Sequence, residues 1–163
     1  MPQDTTLSFE DCLKLAAGSG IGLANAQNLK DAFDAALSAL QPGVAASGTI
    51  TCVATASIAD TDYLTIGDGL SAPKLYELDK AGDGVTVGRI QVDVSGDTTA
   101  AEVAARLKTA IEANQPALSV TRDTGVLTIT HKIPGVVGNV TITENVANAG
   151  FTVTGLSGGT DAA

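Results

Sequence analysis

Past Ser47 the hydrophobic residues of this chain stop recurring at helical spacing and begin to alternate. That switch limits the fold more than any other feature of the sequence. Ile50, Cys52 and Ala54 alternate with Thr49, Thr51 and Thr55, and Leu64 and Ile66 with Tyr63 and Thr65. Ile90, Val92 and Val94 alternate with Gln91 and Asp93. The pattern returns at Leu118 and Val120, Leu127 and Ile129, Val140 and Ile142, and Phe151 and Val153, with Leu75–Leu78 as a weaker strand. Side chains of a strand point to opposite faces in turn, so each stretch reads as a strand with one buried face, and the threonines suit the other. Turn residues punctuate the strands at Gly67-Asp68-Gly69, Gly82-Asp83-Gly84, Asp123-Thr124-Gly125 and Pro134-Gly135.

One helix interrupts the strands. Thr99-Ala100-Ala101-Glu102 is a capping box, in which the threonine and glutamate side chains satisfy each other's backbone amides. Val103, Leu107, Ala110 and Ile111 form its apolar face, and Pro116 lies past its end. Such a helix belongs across one face of a sheet. The expected class is α+β: a β-rich domain of about seven to eight short strands with one packed helix, over residues 47–163.

Residues 1–46 read as a helical N-terminal arm. Ser8 to Asp11 resembles another capping box, and Phe9, Cys12, Leu13 and Ala16 then share a face. Gly18-Ser19-Gly20-Ile21-Gly22 breaks that helix, because glycine is costly in a helix interior. A second helix is predicted over about 23–40, with Leu29, Phe33, Ala36, Leu37 and Leu40 in one stripe and Pro42-Gly43 as the stop. Either the chain's own β domain or a neighbouring subunit must cover the stripe. Phe9, Leu13, Leu29, Phe33, Leu37 and Leu40 are the expected partner contacts, in a symmetric homo-oligomer expected to be a trimer.

Composition narrows the function. A net charge of −9 repels phosphate backbones and anionic headgroups, so neither nucleic acid nor membrane is an expected partner. Three Phe, two Tyr and no Trp leave little aromatic surface for a ligand pocket. The N-terminus Met-Pro-Gln-Asp-Thr-Thr lacks a basic start and apolar run, and no stretch nears the roughly 18 apolar residues of a span. A soluble protein made in the cytoplasm is the expectation.

The motifs with chemical potential are weak. Gly155-Leu156-Ser157-Gly158-Gly159 has the G-x-S-x-G form, but a nucleophile elbow needs a helix and a histidine after it, and His131 comes before. One histidine, with Cys12 and Cys52 far apart, offers no transition-metal spacing. The cysteines read as small buried hydrophobes or as a crosslink. The segments at residues 18–22 and 134–139 lack the lysine of a phosphate loop. Asp60, Asp62, Asp68, Asp79 and Asp83 cluster near glycines, as calcium ligands do, but their spacing fits no EF-hand and they read as a solvated acidic rim. The expectation is no catalytic residue, no metal and no cofactor: a protein that is not an enzyme.

Three stretches carry a family resemblance. The first is Asp62-Tyr63-Leu64-Thr65-Ile66-Gly67-Asp68-Gly69 and the second is Asp97 to Asn114, DTTAAEVAARLKTAIEAN. The third runs from Val126-Leu127-Thr128-Ile129-Thr130 through Gly138-Asn139-Val140-Thr141-Ile142-Thr143 to Gly155-Leu156-Ser157-Gly158-Gly159-Thr160-Asp161. Together, over roughly residues 47–161, they resemble a domain of tailed-bacteriophage virion proteins. Lys74-Leu75-Tyr76-Glu77-Leu78 departs from the more aromatic strand usual there. The resemblance implies a structural virion component without catalytic residues. The expected function is a capsid decoration, or cement, protein that binds the major capsid protein on the outside of the head. A tail, neck or fibre-base subunit is the alternative, and a host-surface or glycan-binding module the alternative from another class.

Overall fold

The computed structural model describes residues 42–162, together with Asn28, Lys30 and Asp31, whose backbone is helical. Phe9, Leu13, Leu29, Phe33, Leu37 and Leu40, the Ser8 cap and Cys12 lie outside the described residues, as does the rest of the arm apart from Asn28, Lys30, Asp31 and residues 42–46. Residues 42–162 form one compact unit. It is β-rich, with eight strands in two sheets and one α-helix, which agrees with the α+β reading.

The strands are β1 (Ser47–Thr51), β2 (Tyr63–Ile66), β3 (Lys74–Asp79), β4 (Ile90–Asp93), β5 (Leu118–Asp123), β6 (Val126–His131), β7 (Ile142–Glu144) and β8 (Thr152–Ser157). The first sheet has the order β5-β6-β1-β8, with every pair antiparallel. The second has the order β4-β3-β2-β7, where β3 and β4 run parallel and the other pairs antiparallel. The glycines of Gly155-Leu156-Ser157-Gly158-Gly159 divide: Gly155 lies inside β8, and Gly158 follows its end.

Helix α1 (Ala100–Asn114) starts on the anticipated box: the Glu102 amide donates to Thr99 Oγ1, and Glu102 Oε2 accepts the Thr99 amide at 2.9 Å. A cap of this kind is worth about 1 kcal/mol. Val103, Ala104, Leu107 and Ile111 are buried and join Ile50, Leu64, Leu78, Leu118, Leu127 and Ile129 in the core. Each large aliphatic chain so buried stabilises the fold by roughly 1.5–3 kcal/mol. At the helix end Gln115 is fully buried yet satisfied: it accepts from the Tyr76 hydroxyl at 2.9 Å and donates to the Ile66 carbonyl at 3.0 Å. That chain of bonds ties α1 to β2 and β3. Cys52 is a buried free thiol, pushed up to about 12 by burial, so at neutral pH it behaves as a small apolar side chain.

Candidate interaction surface

The ionisable side chains of the unit are mostly spent on building its loops. Asp68 follows β2, and its Oδ1 accepts the Leu70 and Ser71 amides at 3.0 and 2.8 Å. Burial works to raise the Asp68 pKa, but the Ser71 and Leu70 hydrogen bonds outweigh it and hold the carboxyl below its ordinary value. His131 ends β6, fully buried, with Nε2 3.1 Å from the Asp68 carbonyl and Nδ1 2.7 Å from the Ile133 carbonyl. The ring therefore pins the 68–71 turn to the 131–133 segment.

The loops beyond His131 are joined the same way. The Val44 and Thr160 backbones pair, the Gly135 amide donates to the Val44 carbonyl at 2.9 Å, and the Val136 amide donates to Asp161 Oδ1 at 3.0 Å. Asn139 clamps Gly159 from both sides, donating to its carbonyl at 3.0 Å and accepting its amide at 2.8 Å. Thus Gly138-Asn139 and the Gly-Gly-Thr-Asp stretch, far apart in sequence, are two halves of one hydrogen-bonded structure.

These joined loops carry Val44, Leu70, Ile133 and Val136, four large apolar side chains that are each about half exposed. Exposed apolar residues gathered on neighbouring loops mark a place for a partner. A shallow groove of about 380 Å³ opens beside them, lined by Gly67, Gly69, Ser71, Asn139 and Thr141 among others. Alternation could not find these four residues, because none sits on a strand. The available signal was a large aliphatic beside each turn: Leu70 after Gly69, and Ile133 and Val136 flanking Pro134-Gly135.

The five aspartates separate. Asp62 accepts the Ala59 amide at 2.8 Å within its own turn, and Asp68 is occupied as above. Asp60, Asp79 and Asp83 do converge, with carboxylate oxygens within 4.8 Å of one another. Asp62, Asp68 and Asp79 are not part of a solvated rim, as the sequence suggested, but buried, Asp79 fully. Asp79 Oδ1 accepts the Gly82 amide at 2.7 Å, and its Oδ2 accepts Gln91 Nε2 at 2.6 Å and the Gly84 amide at 3.1 Å. Asp60 Oδ1 takes the Lys80 and Ala81 amides at 2.8 and 2.9 Å. Next to it, buried Glu77 pairs with Arg89 at 2.8 Å, and the guanidinium lies 4.0 Å from the centre of the Tyr63 ring. The acidic groups thus bind the 80–89 connection to the sheet.

This use of carboxylates predicts acid lability. Hydrogen bonds from Thr98 and Thr99 bring Glu102 from 4.5 to about 2. Asp93 is lowered by Ser95, and Glu112 by Lys108. For Asp79, burial acts upward, but the bonds from Gln91, Gly82 and Gly84 prevail and the net shift is downward. A carboxyl with a depressed folded-state pKa stabilises the fold fully above its unfolded value and loses that contribution as pH falls through the folded one. The unfolding midpoint in urea is expected to hold from pH 7 to about 5 and to fall steadily from there toward pH 2. A midpoint unchanged down to pH 2 would show that these bonds do not contribute.

Ser157 ends β8 with its side chain exposed, and the ring nitrogens of the buried His131 lie against the backbone of Asp68 and Ile133. Among the described residues no helix is long and apolar enough to cross a membrane. No family model, curated protein or solved structure matches the chain.

Proposed function

We propose that this chain is a noncatalytic structural component of a tailed-phage virion, a decoration protein that binds the outside of the assembled head and bridges neighbouring major capsid subunits. The observation that carries the reading is the apolar end of the β unit: Val44, Leu70, Ile133 and Val136 half exposed on loops that hydrogen bonds hold rigid. A preformed apolar surface binds without a large ordering cost. The assignment to a virion rests on the sequence resemblance, whose two most specific pieces are the ones that Asn139 joins. A protein that binds only the assembled shell shifts assembly toward that shell by linkage. Phe9, Leu13, Leu29, Phe33, Leu37 and Leu40 remain the proposed partner contacts, for docking on the capsid or for trimer formation.

The test is co-sedimentation of the purified chain with undecorated capsids and, separately, with tails. Saturable binding to capsids in many copies is expected. The paired change Ile133→Glu and Val136→Glu should weaken it about tenfold or more while leaving the unfolding curve in place. Binding confined to tails or necks would select the tail or neck reading, and binding to neither would overturn the virion assignment.

A further inference from the structure

The four outer sheet edges are not treated alike. On β5 the Val120 amide donates to Glu112 Oε1 at 3.2 Å, and Lys108 Nζ donates to the Val120 carbonyl at 2.6 Å. Two helix side chains thus occupy the backbone groups that another strand would need. The free sides of β7 and β8 face each other: the Val140 amide, just before β7, donates to the Leu156 carbonyl at 3.0 Å. Only β4, among the described strands, has neither device. It pairs with β3 alone. The Val94 amide donates to the Asp79 carbonyl at 3.0 Å, so by alternation Val92 and Ile90 also face β3. The amides and carbonyls of Gln91 and Asp93 are then directed outward.

Beside that edge lies a groove of about 270 Å³, with Gln91, Val92 and Asp93 on one wall and Arg106, Ala110 and Ala113 of α1 on the other. An open strand edge alongside a helix is the geometry in which an extended segment adds to a sheet. Ala110 and Ala113 leave room for its inward side chains. The electrostatics select the rest. Asp93 is exposed, and Gln91 next to it is held on the Asp79 carboxylate. Arg106, the one cation lining the groove, lies 3.4 Å from the Asp97 carboxylate. Asp93 and Asp97 together outnumber Arg106, so the rim is net negative by one charge, and a second copy would present the same sign on a chain of net charge −9.

We infer that β4 accepts an extended segment of a partner protein as a fifth strand, with small apolar side chains toward Ala110 and Ala113 and lysine or arginine at the alternate positions beside Asp93. The site is separate from the apolar loops and stands whether or not the chain belongs to a virion.

The probe is a synthetic peptide of about nine residues alternating lysine and valine, long enough to span the edge. It is titrated into the full chain and followed by backbone amide shifts and hydrogen exchange. Shifts and slowed exchange centred on the Gln91 and Asp93 amides are expected. Asp93→Lys should weaken binding about tenfold or more, as should N-methylation of the peptide on its pairing side, and a glutamate–valine peptide should not bind. Equal affinity for the N-methylated peptide would reduce the effect to charge adhesion and overturn the proposal. So would undisturbed Gln91 and Asp93 amides, or self-association of the free chain that Asp93→Lys abolishes. Should Asp93→Lys fail to fold, the N-methylated peptide decides alone.

Discussion

Asp79→Ala is expected to lower the unfolding free energy of the β unit by about 3 kcal/mol, a drop of roughly 10 °C or more in midpoint. The reason is the parallel pairing of β3 with β4. Parallel neighbours are usually joined by a helical crossover, because the chain must travel back the length of a strand. Here residues 80–89 return without a helix, and buried carboxylates hold them down. Removing Asp79 strands the Gly82 amide, the Gly84 amide and the Gln91 side chain. A hydrogen bond to a charged group is worth about 1.5–3 kcal/mol, and because Gly82, Gly84 and Gln91 are themselves exposed, water recovers part of the sum. Asp79→Asn keeps one acceptor oxygen and should cost about half as much. Urea unfolding of both variants measures the difference. Hydrogen exchange at the Thr86 amide, which points at Glu77, reports whether the loop opens locally first. A loss below about 1 kcal/mol for Asp79→Ala would show that the connection holds without its carboxylate.

The same region shows where sequence reading works and where it stops. The capping box, α1 and the β5–β6 hairpin were legible because each is set by residues close in sequence: Thr99 with Glu102, and Asp123-Thr124-Gly125 between two alternating runs. Strand β3 was the weak one for a physical reason. Both its faces are covered, with Tyr76 and Leu78 in the core and Glu77 and Asp79 beneath the 80–89 connection, so polar and apolar residues are buried alike. The parallel partnership with β4 left no local mark, because the usual crossover helix is missing. The aspartates repeat the lesson. Asp60, Asp79 and Asp83 meet only because the chain doubles back, whereas Asp62 and Asp68, their neighbours in sequence, serve separate turns. As for the apolar end, the Gly-Asn and Gly-Gly-Thr-Asp stretches were visible as motifs. That Asn139 holds Gly159 is a fact of tertiary structure.

Gly69→Ala combines two penalties at the foot of that apolar end and is expected to cost more than about 3 kcal/mol, enough to leave a marginal domain largely unfolded at 37 °C. Gly69 has φ +69°, a left-handed conformation that costs an alanine roughly 1–2 kcal/mol. A Cβ built there would also lie 2.0 Å from the Val137 carbonyl oxygen. The obstacle is backbone, in a loop that Gly135 anchors to Val44, Val136 to Asp161 and Asn139 to Gly159, so it cannot yield as the tip of a side chain would. The sequence announced the turn through Gly67-Asp68-Gly69 but not the close approach. Gly158→Ala separates the two penalties: its φ is +78°, close to that of Gly69, with nothing within 4 Å of a Cβ. That variant should lose only the conformational part, about 1–2 kcal/mol. Side-by-side thermal unfolding of the two variants measures the clash directly. Equal losses would mean that the 68–70 turn and the 133–139 loop part easily, and would remove the rigid platform on which Leu70, Ile133 and Val136 are offered to a partner.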